Sequence, residues 1–287
     1  MRSQNFGPLA LVLTLSLAAC AGRRADRGEP PPLTPAEARE ADARGRGGAP
    51  MTGAPTPEFY PIPSLAQGSW AAIASSRQQR PILASTVAGA RVATTSPRLY
   101  IIASIHGNET EGLAVIDRLA DDLRASPTAA TIRIVRDMNP DGTAARSRTN
   151  ASGIDLNRNW PARSFTPSSD RGPSPLSEPE SAGVLADLER FAPTLVIVLH
   201  STAAGPFVNY DGPATDAATR FATAAVAHDS RWRVVPDMGY PTPGSIGSLI
   251  GDDHQVPILT IEFRRGQPPE SVWPVLRDGV RAVAAPR

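Results

Sequence analysis

His106 and Glu109 stand three residues apart, directly after the apolar run 99–105. An imidazole and a carboxylate at that spacing, where a strand yields to a loop, can turn toward one point, and both donors suit Zn²⁺ at about 2.0–2.2 Å. His200 closes a second apolar run, 195–199, and would bring a third donor. Two histidines and one glutamate leave a fourth position for water, the catalytic rather than the structural arrangement. Each residue alone has a plainer reading: a histidine at a strand end is commonly a satisfied core or loop residue, and an isolated His-x-x-Glu is a weak motif. The other two of the four histidines, His228 and His254, have no carboxylate at ligand spacing and are read as non-ligands.

Such a cluster needs rigid strands beneath it. Residues 80–87 read as a strand, and 99–105, 195–199 and 258–261 are near-continuous apolar runs, the pattern of strands buried on both faces. Residues 132–135 add a further strand. Helical spacing runs through Val115, Ile116, Leu119 and Leu123 in 112–124, and helices are also expected over 214–228 and 272–283. Ser177 with Glu180 three residues on reads as a capping box opening a helix to Phe191. Alternating strands and helices predict an α/β fold around a central mixed, mostly parallel twisted sheet flanked by helices. The candidate chemistry sits at the carboxyl ends of the buried strands, where such folds bind ligands.

The chain of 287 residues is long enough for one sizeable domain plus a tail. A formal net charge of +1 gives no argument for a nucleic-acid partner. Every basic residue is arginine, a side chain that holds carboxylates bidentately. The 30 prolines gather partly in 21–63, a Pro/Ala/Arg-rich stretch without useful apolar periodicity, read as a flexible tether in which 34–44 could hold a short helix. Ahead of it, Arg2 and the apolar run 9–19 have the shape of a signal-peptide core, too short to span a bilayer. That run ends on the single cysteine. Leu17-Ala18-Ala19-Cys20 resembles the bacterial lipobox, which implies lipidation of Cys20, and Ala21 after it implies an outer-membrane lipoprotein facing the periplasm. Three parts follow: 1–20 signal peptide, 21–63 tether, 64–287 catalytic domain, with the membrane reached by the N-terminal lipid anchor only.

Six motifs then occur in order: His106-Gly107-Asn108-Glu109, Asn139-Pro140-Asp141-Gly142, Gly153-Ile154-Asp155-Leu156-Asn157-Arg158-Asn159-Trp160-Pro161, Ser177-Glu178-Pro179-Glu180, Leu199-His200-Ser201 and Thr260-Ile261-Glu262-Phe263. In this order they resemble the zinc carboxypeptidase family related to carboxypeptidase A, over roughly residue 64 to the C-terminus. Gly239-Tyr240-Pro241-Thr242-Pro243-Gly244-Ser245 is similar to a stretch of the compact murein tripeptide amidase branch, which cleaves between D-glutamate and meso-diaminopimelate in peptidoglycan peptides.

The resemblance implies a carboxypeptidase-like fold and one Zn²⁺ on His106, Glu109 and His200. It implies Asp155 as the carboxylate that accepts the N–H of the first ligand histidine and sets its tautomer. Glu262 matches the general base, and at the end of an apolar strand a raised pKa would suit it to take a proton from water. Arg148 matches the arginine that steadies the oxyanion, with Arg146 and Arg136 as nearby competitors. Asn157 and Arg158 match the pair that grips the substrate's terminal carboxylate, and an amide beside a guanidinium fork suits that anion. Tyr240 matches a mobile tyrosine closing over the same end. Ile246 and Gly247 fall at the side-chain pocket and carry no charge, so the zwitterionic side chain of diaminopimelate would need a partner from elsewhere, Asp211, Asp237 and Asp252 being candidates.

The leading expectation is therefore a lipid-anchored zinc peptidase acting on peptidoglycan-derived peptides. A general carboxypeptidase on free C-termini is the second reading. A catalytically silent cell-wall-binding lipoprotein is the third, and it is disfavoured because the base and all three ligands are present.

Overall fold

A computed structural model of the chain describes residues 70–90 and 96–286. Cys20, the signal-peptide run, the tether 21–63 and the short helix expected over 34–44 lie outside the described residues. Eight strands form one sheet: β1 (Ala71–Ser75), β2 (Pro81–Val87), β3 (Arg98–Ala103), β4 (Thr131–Val135), β5 (Leu195–Thr202), β6 (Phe207–Asp211), β7 (Val234–Val235) and β8 (Ile258–Arg264). Their order is β1-β2-β4-β3-β5-β8-β6-β7. The central four, β4-β3-β5-β8, are parallel, while β2 and β6 join them antiparallel on either side. The mixed, mostly parallel sheet of the sequence reading is thus the observed one.

Side-chain alternation along the central strands divides the core into two layers. Leu99, Ile101 and Ala103 of β3, with Leu195, Ile197 and Leu199 of β5, pack on the face covered by α1 (Leu113–Ala125), α4 (Thr215–Val226) and α5 (Pro269–Ala284). Tyr100, Ile102, Val196 and Val198 face the other way, toward α3 (Pro179–Phe191). Both faces being covered is why these runs lack polar alternation. Among the described residues no helix is long and apolar enough to cross a membrane.

The chain leaves β3, returns as β4 on one side of it, and later places β5 on the other side. That is a topological switch point, where a crevice opens beyond the carboxyl ends of the strands. Register aligns the ends: Ala103 pairs with Leu199, Leu199 with Ile261, and His200 with Glu262. Beyond β3 the chain turns sharply at buried Ser104, whose φ of 56° is left-handed and whose hydroxyl lies 2.9 Å from Thr143 Oγ1. The following loop packs against a short helix, α2 (Pro140–Ala145). Asn139 caps α2 by accepting from Gly142 N at 2.9 Å, and Pro140 suits its first position. The same Asn139 amide donates to Ile105 O and Arg148 O at 3.4 and 3.3 Å, so one side chain ties together the loops that carry His106 and Arg148.

Several sequence expectations shift. β5 and β8 run on to Thr202 and Arg264, which leaves His200 and Glu262 inside strands rather than at their tips. The capping box at Ser177 does not form. α3 starts at Pro179 after Glu178, with no side-chain cap. Ser177 Oγ instead accepts from Asn159 Nδ2 at 2.9 Å, and Glu180 accepts from Arg77 N at 2.9 Å and Asn150 Nδ2 at 3.3 Å. Tertiary partners outbid the local cap, and Pro179 starts the helix. β1, β6, β7 and α2 escaped the sequence reading because they are short, and Pro140-Asp141-Gly142 reads as a turn.

Gly107 shows how tightly the first ligand loop is seated. A Cβ there would meet Gly142 C and Thr143 N at 2.0 and 2.2 Å, backbone atoms that cannot rotate away. Gly107→Ala is expected to lower stability by about 1–3 kcal/mol or more and to displace His106; unchanged urea midpoint together with unchanged metal content would sink this account of the loop.

Candidate metal centre

His106 reaches the centre from the loop after β3, Glu109 from the same loop, and His200 from β5. All three are buried, at 2, 4 and 4 % exposure. Their donor atoms lie within 4.8 Å of one another. Glu109 sits between the imidazoles: its Oε1 is 3.0 Å from His106 Nδ1 and its Oε2 2.8 Å from His200 Nδ1. His106 Nε2 lies 3.0 Å from Asp155 Oδ1. Donation to Asp155 puts the ring proton on Nε2 and turns the Nδ1 lone pair inward. That Nδ1 has no hydrogen-bond partner despite its closeness to Glu109 Oε1, because the two atoms are not in hydrogen-bonding alignment. Two lone pairs aimed past one another at a shared point are what a metal ion requires, so the residues fit one.

The electrostatics agree. Burial opposes ionisation of Glu109, but the two imidazoles outweigh it and hold the carboxyl well below its usual range. Burial likewise works against the Asp155 carboxylate, and His106 and then Arg148 overcome it. Both carboxylates are therefore anionic at neutral pH, the state in which a carboxylate can hold a cation or orient an imidazole.

Glu262 projects from β8 beside His200 and is 8 % exposed. Of the three candidate arginines only Arg148 reaches the centre. Its Nε donates to Asp155 Oδ2 at 3.1 Å and its Nη1 to Glu109 Oε1 at 3.3 Å. Arg146 ends α2 and is exposed to solvent, and Arg136 pairs with Asp117 at the surface. Asn157 and Arg158 lie in a 3-10 turn, Leu156–Arg158, that Asp155 caps by accepting from Asn157 N at 2.8 Å. Asn157 Oδ1 accepts from Ile246 N at 3.1 Å, which points its Nδ2 toward His200 Nε2, 3.5 Å away. The Arg158 guanidinium donates to Asn157 O at 2.8 Å and has no ion pair among the described residues. Burial draws its pKa down and Asp155 only partly restores it, the signature of a cation that an anion would stabilise. Tyr240 is within electrostatic reach of Arg158. Its loop packs over the 157–160 segment, with Trp160 N donating to Gly244 O at 3.0 Å.

His228 lies apart from the cluster, though it does meet a carboxylate, Asp278 Oδ2 at 2.8 Å, across 50 residues. Sequence reasoning passed over Arg265, whose Nη2 donates to Glu109 Oε1 at 3.2 Å and Ser201 O at 2.9 Å; only its closeness to Glu262 could have drawn notice. It also left Asp141 and Glu178 without roles. The turn between β1 and β2 holds both: Ser76 Oγ and Gln78 N donate to Asp141, and Arg77 Nη2 to Glu178 Oε1 at 3.1 Å.

Comparison with known proteins places residues 95–263 on the model of the succinylglutamate desuccinylase/aspartoacylase catalytic domain. Murein peptide amidase A of Vibrio campbellii is 29 % identical over 186 residues, 59 % of this chain and 70 % of that protein. The Escherichia coli K12 protein of the same name is 28 % identical over 179 residues, 57 % of this chain and 69 % of that one. Among solved structures, murein-tripeptide amidase from Escherichia coli O157 shares the fold with a TM-score of 0.58 at 23 % identity, over 78 % of this chain and 95 % of that one.

The candidates for the side-chain pocket separate clearly. Asp237 is exposed and accepts from Gly239 N at 2.7 Å, and Asp252 is exposed. The carboxyl of Asp211, at the end of β6, accepts no hydrogen bond among the described residues, and its Oδ2 lies 2.3 Å from where a Cβ on Gly247 would stand. Burial and then the Asp252 carboxylate push its pKa up to about 6. A carboxyl raised in the folded state favours folding below its unfolded pKa, and that contribution is lost as pH climbs to about 6. Asp211→Asn should therefore raise Tm above the parent's at pH 8, by about 2–4 °C for each kcal/mol relieved, with the gain gone near pH 4. A gain that is equal at both pH values would show that Asp211 is not buried against its charge.

Proposed function

Because the chain belongs to the succinylglutamate desuccinylase/aspartoacylase catalytic-domain family, we propose that it is a zinc-dependent hydrolase that cleaves an amide bond beside a free carboxylate. Within that family it is zinc carboxypeptidase-like, near the murein peptide amidases. The observation that carries the reading is the buried His106–Glu109–His200 donor set with Glu262 on one side and the Asn157–Arg158 pair on the other.

Zn²⁺ held by His106, Glu109 and His200 would supply Lewis acidity toward the scissile carbonyl and an acidified water. The chain's own residues do the rest. Arg158 and the Asn157 amide bind the substrate's terminal carboxylate and so place the adjacent amide over Glu262. The Glu262 carboxylate takes a proton from the attacking water and returns it to the leaving nitrogen. Arg148, close to Glu109 and Asp155, carries the charge that steadies the tetrahedral oxyanion. Asp155 holds the His106 tautomer throughout. The loop bearing Tyr240 covers the carboxylate end.

The finer reading is a murein peptide amidase acting on the γ-D-glutamyl–meso-diaminopimelate bond. Its support is the likeness to two proteins named murein peptide amidase A, together with Asp211 beside Gly247, an acid available to a cationic side chain. The lipobox-like Leu17-Ala18-Ala19-Cys20 supports a periplasm-facing outer-membrane lipoprotein. Mass spectrometry of defined muropeptides incubated with the zinc-loaded protein tests the substrate: release of diaminopimelate is expected. Hydrolysis of ordinary C-terminal peptides alone would make it a general carboxypeptidase.

Glu262→Gln should keep zinc while turnover falls by about 10² or more, and retained activity would mean that another group is the base. His200→Ala should lose the metal, so stoichiometric zinc in that variant would break the ligand assignment.

A further inference from the structure

A cavity of about 840 Å³ lies between the turn 228–231 after α4 and the end of β8 with the loop 265–268 that joins it to α5. Arg231, Arg264 and Arg265 line it, with Asp229 and Glu270. Arg231 is spent on Asp229, whose two oxygens accept from it at 2.7–3.2 Å. The Arg264 guanidinium forms no hydrogen bond or ion pair among the described residues, although its charge reaches the Asp229 carboxylate that Arg231 already holds. Arg265 joins the cavity to the metal centre: it lines the one and donates to Glu109 Oε1 and Ser201 O of the other, with 41 % of its side chain exposed. The strand end and loop that present the two arginines are pinned, with Arg265 N donating to Thr202 O at 3.0 Å and Gly266 N to Glu111 Oε1 at 2.7 Å.

This cavity flanks the centre on the side away from the carboxylate clamp. Asn157 approaches the Nε2 side of His200, whereas Arg265 lies with Glu109 and Ser201 on the Nδ1 side. A substrate whose terminal carboxylate sits on Asn157 and Arg158 therefore extends its acyl part toward Arg265 and Arg264.

We propose that Arg264 and Arg265 form a subsite for a carboxylate on the acyl part of the substrate. The inference rests on the reading of Asn157 and Arg158 as the clamp for the other end. Guanidinium forks match carboxylates bidentately, and a basic wall beside a cleft gathers anions. A γ-linked glutamyl group brings such an anion, because its α-carboxylate stays free a few carbons from the scissile carbonyl. An amidated glutamyl group does not.

The test compares γ-D-glutamyl-meso-diaminopimelate peptides carrying a free or an amidated α-carboxyl, in the zinc-loaded parent and in Arg264→Gln and Arg265→Gln. Turnover is read as kcat/KM, and binding is read by calorimetry in the Glu262→Gln background, with zinc content measured in every protein because Arg265 also touches Glu109. The parent should favour the free acid by about 10-fold or more in both readouts. Each variant should bring that ratio toward one while retaining zinc. A parent ratio near one, or a ratio that survives both substitutions, overturns the proposal. If the parent cleaves only α-linked peptides, the murein reading fails by itself; Glu and Gln at the penultimate position of such a peptide then read the same subsite, with the same outcomes deciding it.

Discussion

Glu109 is the side chain on which the site turns. Its two oxygens are shared between two imidazoles, the Ser201 amide and two arginines, all in a place almost closed to water. A carboxylate there can stay ionised only because positive and hydrogen-bonding groups surround it. Those five groups come from four elements: the loop after β3, strand β5, which supplies both His200 and Ser201, the loop after α2 and the loop after β8. The geometry of the centre is consequently a readout of whether the central parallel strands are in register, since His200 and Glu262 are direct cross-strand partners.

Rigid support comes from a polar scaffold behind the ligand loop rather than from the apolar core alone. Asn139 bonds the backbones of both the His106 and Arg148 loops, Ser104 braces Thr143, and the turn between β1 and β2 reaches over to Asp141 and Glu178. Loops held in this way lose little freedom when substrate binds, so the donor set is organised in advance. Within this scaffold the arginines divide labour by their neighbours. Arg148 is tied to two carboxylates, Arg158 forms no ion pair among the described residues and is only partly compensated by Asp155, and Arg264 lines a cavity.

The motifs of the sequence carried much of this. Near-continuous apolar runs announced the buried strands, and 80–87 was read as well, but β1, β6 and β7 were missed because short, weakly apolar segments such as 71–75 carry little periodic signal. His106, Glu109, His200, Asp155, Asn157 and Arg158 all stand in the six ordered motifs, and it was the order of the motifs rather than any one residue type that pointed to a shared site. Ser177-Glu178-Pro179-Glu180 shows the opposite. Its local grammar spelled a helix cap, yet its acids serve Arg77 and Asn150, from segments far away in the chain.

By itself, the sequence determined which residue types could bind a metal and a carboxylate, that they follow buried strands, and that an α/β sheet underlies them; these are consequences of side-chain chemistry and local periodicity. Only the tertiary structure decided which of three arginines meets Asp155, which of three aspartates lies against Gly247, and that Arg265 touches Glu109. The last two of those choices depend on contacts between residues far apart in the chain, such as the 156 positions that separate Glu109 from Arg265, and the first depends on how the loop 146–155 folds over seven residues. Local spacing carries no information about such contacts until the strands are paired and the loops packed.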